Sequence, residues 1–131
     1  MPEIPLGAKT QRTIAVTDEN AIRFLGHEQA RVLATPWLIA YLEMVARDTV
    51  KPWLLDGFDT VGTHVNVRHL AATPLGMNAT FAAEIIAVND RRVTFRVEAW
   101  DELDRIAEGT HERAIVDISR FAGRVQSKLN R

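Results

Sequence analysis

The sequence predicts an α+β fold in which an antiparallel sheet wraps one long central helix. Three observations carry this expectation. An apolar run opens at Thr35-Pro36 and is limited by Pro52. Four later segments alternate apolar and polar residues and are joined by short turns. A further β-branched segment precedes the helix.

Taken in order, residues 1–8 are proline-rich and read as an irregular lead-in. Lys9 to Thr17 ends in Thr13-Ile14-Ala15-Val16-Thr17, β-branched enough for a strand, and Thr17 to Asn20 is a turn cluster. From Ala21 to Ala34 apolar and polar residues are mixed, as in a loop or short helical lid. The helix follows. A Thr hydroxyl can cap it by accepting from a free backbone N–H, Pro36 sits where no donor is needed, and a helix stops at or before the residue preceding Pro52. About ten nearly unbroken apolar residues, with the one carboxylate Glu43 among them, read as a helix enclosed on all faces and too short to cross a membrane.

Beyond the turn at Asp56–Asp59, Val61 to Leu70 alternates, with Val61, Thr63, Val65, Val67 and His69 on the apolar side and Gly62 on the other. Pro74 and Gly76 close a turn into Met77–Val88, where Met77, Ala79, Phe81, Ala83, Ile85 and Ala87 share a face. Asn89-Asp90 turns the chain into Arg91–Trp100, with Val93, Phe95, Val97 and Ala99 alternating. A last strand, Arg105–Ile118, contains Gly109, the mark of a bulge or a close backbone approach. Residues 119–131 have the spacing of a short charged helix.

Short turns join only antiparallel neighbours, so these strands form a meander, and a sheet of this kind around a long helix is the hot-dog arrangement. Such a sheet keeps two edges, and one copy covers so apolar a helix poorly; a homodimer is therefore expected. The 131 residues fit one domain spanning 1–131. A net charge of −1 gives no sign of a nucleic-acid partner, and the absence of cysteine excludes a disulfide framework and a thiolate nucleophile. The N-terminus lacks the basic start and apolar stretch of a signal peptide, so a cytoplasmic protein that does not enter membranes is expected.

Three residues invite a chemical reading. Glu43 lies about two turns beyond Thr35 in the most apolar part of the helix, where an unpaired carboxylate costs several kcal/mol. Its plain alternative is a Glu on a helix face that reaches solvent or pairs with Arg47. His69 sits at a core-facing strand position; a hydrogen-bonded structural histidine is the plain alternative. Thr35 is a helix cap on the plain reading, yet a hydroxyl at a helix N-terminus lies among N–H groups that favour a developing negative charge. His27 and His111 have no partner recognisable in the sequence, His64 falls on the outward phase, and no histidine has metal-ligand spacing.

Several segments together carry a family likeness. These are A-T-P at 34–36, the helix with Glu43, V-G-T-H-V-N-V-R-H-L-A-A-T-P-L-G at 61–76, R-R-V-T-F-R-V-E-A at 91–99 and E-G-T-H-E-R-A-I-V at 108–116. In this order the chain resembles the fluoroacetyl-CoA thioesterase family of hot-dog proteins, from about Thr13 to Arg124. The resemblance implies hydrolysis of a short or medium acyl-CoA thioester at a dimer interface, with coenzyme A present only as part of the substrate and no other cofactor. It implies that Thr35 orients the carbonyl, Glu43 acts as nucleophile or as base on water, and His69 moves protons. It also points to Gly62 approaching the acyl group, from the partner subunit, and to Arg113 supporting the site.

The departures from that family lie before and at the helix start. The fluoroacetyl-selective members carry a Phe-rich lid, whereas Phe24 is the only aromatic in the lid here, and Trp37 follows the Thr-Pro step where a smaller residue is expected. Phe24 and Trp37 are therefore candidate residues for the acyl pocket, with Trp37 either narrowing it or packing at the dimer contact, and selectivity for a fluorinated acyl group is not expected to carry over. The alternative from a different class is a non-catalytic acyl-CoA-binding module that keeps the pocket. A hydratase is disfavoured because its Asp-then-His segment is missing.

Overall fold

The computed structural model describes residues 3–130. Met1 and Pro2 of the expected lead-in, and Arg131 at the end of the expected C-terminal helix, lie outside the described residues. Five strands, β1 (Lys9–Ala15), β2 (Phe58–His69), β3 (Asn78–Asn89), β4 (Arg92–Asp101) and β5 (Arg105–Asp117), accompany the helices α1 (Thr35–Val50) and α2 (Ile118–Ser127). The strands form one antiparallel sheet in the order β1-β3-β4-β5-β2, which leaves β1 and β2 as its edges. A sheet curled about a long helix is the expected architecture, but the expected meander holds only for β3-β4-β5: β2 pairs with β5 at the far edge, so the connection from β2 to β3 crosses the sheet instead of joining neighbours.

The alternation read in β3 and β4 sets the core. Ala79, Phe81, Ala83 and Ile85 of β3 and Val93, Phe95, Val97 and Ala99 of β4 are all buried beneath α1. Their hairpin turns through Asp90, whose positive φ of 57° gives the left-handed geometry that tight hairpins require. Helix α1 packs chiefly on β3 through Leu38, Tyr41, Leu42, Val45, Ala46, Thr49 and Val50. Enclosure on all faces is not what the chain achieves: Trp37 and Met44 are 37% and 42% exposed. The reason is that one curled sheet covers only one side of a cylinder. Among the described residues no helix is long and apolar enough to cross a bilayer.

The lid segment is tied down through Arg31. Its buried guanidinium donates to the Asp18 carboxylate at 2.7 Å and to the backbone carbonyls of Asp18, Ile22 and Ala21. The isolated bridge Ala21–Leu33 joins the two ends of this segment to each other, and Val32–Pro74 ties its second end to the turn before β3. The only helical piece in it is a single 3-10 turn, Glu28–Ala30, capped by the His27 ring.

Strand β2 departs from the alternation read in the sequence. Its register against β5 shifts between Gly62 and His64, so a bulge flips the phase in mid-strand. Gly62 consequently shares the inward face with Val65, Val67 and His69, while Val61 and His64 turn outward. The expected close approach at Gly109 is present, and it is made by β2: a Cβ there would overlap the Asn66 carbonyl oxygen and lie 2.8 Å from the Val67 Cα.

Candidate active site

Thr35, Ile39 and Glu43 stand four residues apart on α1 and so form one stripe along the helix. That stripe faces the β2–β5 margin of the sheet, where two separate constellations form. At the helix start, Thr35 is the first helical residue rather than its cap. Ala34 holds the cap position without a side-chain bond, and the Thr35 hydroxyl turns to the sheet. There Thr35 Oγ1 and His69 Nδ1 are 2.7 Å apart.

The other ring nitrogen of His69, Nε2, is buried and has no hydrogen-bond partner among the described residues. Burial pulls the His69 pKa below the ordinary value of 6.5, opposed to a lesser degree by the backbone of Ala71. The ring is therefore neutral at neutral pH. Two arrangements satisfy the pair: the hydroxyl donates to Nδ1 and Nε2 keeps the proton, or Nδ1 donates and Nε2 keeps a lone pair. Either leaves a proton-transfer atom uncommitted.

Two turns further along, Glu43 Oε1 lies 3.6 Å from Arg113 Nη1 and 3.8 Å from His111 Nε2. Both partners come from the inward face of β5 and are buried. Arg113 is fixed by Thr60, donating from Nε to the hydroxyl at 2.7 Å and from Nη2 to the carbonyl at 2.9 Å. His111 Nδ1 is 2.8 Å from the His64 carbonyl and Nε2 is 3.1 Å from Arg113 Nη1. A carbonyl only accepts and a guanidinium only donates, so Nδ1 carries the proton and Nε2 accepts. The imidazole is thus neutral, and burial holds its pKa below 6.5. Burial also lowers the Arg113 pKa, yet a guanidinium stays cationic at neutral pH.

Of the plain alternatives for Glu43, the pair with Arg47 is not formed, whereas the side chain does reach solvent, being 38% exposed. Arg47 binds Asp59 through two bonds of 2.9 and 2.6 Å, and this holds the Asp59 carboxyl down to about 2. Gly62 faces Glu43 of its own chain, and the bulge in β2 is what aims it there. Of the predicted residues, then, the fold joins Thr35 with His69, and Glu43 with Gly62 and Arg113. It does not join the two groups within one chain. Eight residues of helix separate Thr35 from Glu43 by about 12 Å, and seven residues of strand separate Gly62 from His69 by about 23 Å.

Phe24 is 82% exposed and so is not enclosed in a pocket. The Trp37 ring lies beside Tyr41, with centroids 5.6 Å apart. Sequence reasoning missed Thr60 and His111. For His111 a signal existed, because counting inward from Ile115 by twos places 113 and 111 on the buried face of β5.

The relatives of this chain share its outline. A family model described as fluoroacetyl-CoA-specific thioesterase matches residues 16–119. The fluoroacetyl-CoA thioesterase of Streptantibioticus cattleyicolor is 38% identical over 101 residues, which cover 77% of this chain and 73% of that protein. The solved structure of the fluoroacetyl-CoA thioesterase FlK superposes with a TM-score of 0.87 at 32% identity, covering 96% of this chain and 98% of the other. A Thermus thermophilus hypothetical protein, described as a thioesterase superfamily member, gives a TM-score of 0.88 at 32% identity, covering 99% and 98%.

Proposed function

Because the chain belongs to the fluoroacetyl-CoA-specific thioesterase family, we propose that it hydrolyses a short or medium acyl-CoA thioester to the free acid and CoA, using Thr35, His69 and Glu43. The observation that carries the residue assignment is the 2.7 Å contact between Thr35 and His69 at the start of α1, with the second ring nitrogen left uncommitted. An acyl-CoA substrate is supported by FlK, a mutant of which is solved in complex with acetyl-CoA. On this reading the helix N-terminus and the Thr35 hydroxyl polarise the thioester carbonyl, and the neutral imidazole of His69 handles the protons of attack and departure. Glu43, aligned by Arg113, attacks the carbonyl or draws a proton from the attacking water. Selectivity for a fluorinated acyl group is not part of the proposal, since Phe24 is largely exposed and Trp37, beside Tyr41, stands where a smaller residue is expected.

The separation of the two groups along one chain favours a site shared between subunits. Strand β2 is a twelve-residue sheet edge, and its stretch from Gly62 to Asn66 is exposed. Antiparallel pairing of β2 with its copy would set the Gly62 end of one strand beside the His69 end of the other. Glu43 of one protomer would then join Thr35 and His69 of the partner subunit.

Thiol release from a panel of acyl-CoAs tests the activity; Glu43→Ala and His69→Ala are each expected to abolish most of it. Binding of acyl-CoA without release would indicate the non-catalytic module instead. Mixed dimers test the sharing. One E43A subunit paired with one H69A subunit retains an intact site if the residues work across the interface, and about half the wild-type rate is expected. No recovery places all three residues in one chain.

A further inference from the structure

Seven arginines reach a carboxylate within 4.0 Å: Arg12, Arg23, Arg31, Arg47, Arg96, Arg105 and Arg113. Among the described residues, five others form no such pair. Four of those five, Arg91, Arg92, Arg120 and Arg124, line a single concavity of about 620 Å³. Two come from the start of β4 and its hairpin, and two stand one helical turn apart on α2. The carboxylates in the same wall are Asp90 and Asp117, and Asp117 is already engaged as the cap of α2, accepting from the Arg120 N–H.

This clustering is unusual for a chain whose net charge is −1. Like charges four apart on a helix repel, and two further arginines in the same wall add to the cost unless an anion fills the space. Planar guanidiniums bind phosphate oxygens in pairs, so a ligand with more than one phosphate suits a groove lined by four arginines from two elements. The concavity is also within reach of the chemistry. Its wall includes Ala114 to Asp117, and Asp117 lies four strand residues, about 13 Å, beyond Arg113.

We propose that this groove is a phosphate-binding subsite that takes the phosphorylated nucleotide end of the CoA thioester. The inference rests on the thioesterase reading above, but its test need not. Titration calorimetry with adenosine 3′,5′-bisphosphate should show binding to the wild type that weakens as salt is raised. Binding should weaken at least tenfold in Arg120→Gln/Arg124→Gln and, as a check against a folding defect in α2, also in Arg91→Gln/Arg92→Gln. In kinetics, the ratio of kcat/KM for an acyl-CoA to that for the same acyl group on N-acetylcysteamine should fall at least tenfold in both variants. Absence of bisphosphate binding, equal binding in the variants, or an unchanged ratio overturns the proposal. So does pyrophosphate binding as tightly as the bisphosphate while the ratio stays constant, because the groove would then be a site for free phosphate. If the wild type cleaves neither thioester, the thioesterase reading fails, and the calorimetry alone decides whether the groove binds the nucleotide.

Discussion

Gly62 faces Glu43 so closely that a Cβ at position 62 would overlap the carboxylate oxygen Oε1. The same Cβ would lie 3.3 Å from His111 Cε1. A backbone with no side chain is therefore part of what lets Glu43 sit within ion-pair range of Arg113.

Gly62→Ala separates position from stability. The overlapping atom is the far end of a half-exposed side chain, which can swing away at little cost. The loss in stability should stay within about 1 kcal/mol, while displacing the carboxylate should lower kcat at least about tenfold. Thermal melts beside thiol-release rates check this. A variant as active as the wild type would show that Glu43 needs no fixed position.

Activity should depend on a neutral His69. Its pKa lies below 6.5 because burial disfavours the charged ring, so the acid limb of kcat/KM should fall below that pH and the rate should be flat above it. Thr35→Val should reduce the rate and move the acid limb, because the hydroxyl contacts Nδ1 directly; His69→Ala should cost about a hundredfold or more. A pH profile unaltered by Thr35→Val would break the proposed link between the two residues.

Gly109→Ala should be far more damaging to the fold than Gly62→Ala. Its Cβ would meet the backbone of the neighbouring strand, the Asn66 carbonyl and the Val67 Cα, and backbone cannot rotate out of the way. A loss of at least about 2 kcal/mol is expected from forcing β2 and β5 apart. Urea unfolding measures it, and a loss below about 0.5 kcal/mol would contradict the packing described.

The two glycines show what could be read from the sequence and what could not. Gly109 interrupts an otherwise regular strand, and that anomaly announced a close approach. Gly62 interrupted no pattern, and only the family resemblance pointed to it; its facing depends on a bulge one residue away, and a single extra residue reverses the facing of everything before it. The strands β3 and β4 were legible because their alternation runs unbroken through Phe81, Ala83 and Ile85 and through Val93, Phe95 and Val97. Thr35, Glu43 and His69 could be singled out from their surroundings, and the contact between the first and third is present. Their partition into two groups was hidden, since it follows from helix rise and strand rise being unequal over segments of similar residue count. His111 was legible only through the alternation of β5, which places it on the buried face with Arg113 and Ile115; its partners, a backbone carbonyl and an arginine, leave no mark of their own in the sequence.

His111 and Arg113 give the last expectation, a stability that falls with acid. The folded chain keeps His111 neutral, with its pKa held below 6.5 by burial, whereas the unfolded chain titrates at the ordinary value. As pH drops below 6.5 the unfolded state binds more protons than the folded one, so unfolding free energy decreases; above 6.5 the contribution is complete. His69 acts in the same direction. Urea midpoints measured between pH 7.5 and 5 should therefore decline, and His111→Gln should flatten part of that slope. Arg113→Ala should cost about 1–3 kcal/mol, because it strands the Thr60 hydroxyl and carbonyl and the Nε2 lone pair of His111 without a donor. Arg113→Lys should recover little of it, since a single ammonium cannot reproduce the two-nitrogen grip on Thr60. A lysine variant as stable as the wild type would show that the charge beside Glu43, and not the geometry of the guanidinium, is what this part of the sheet requires.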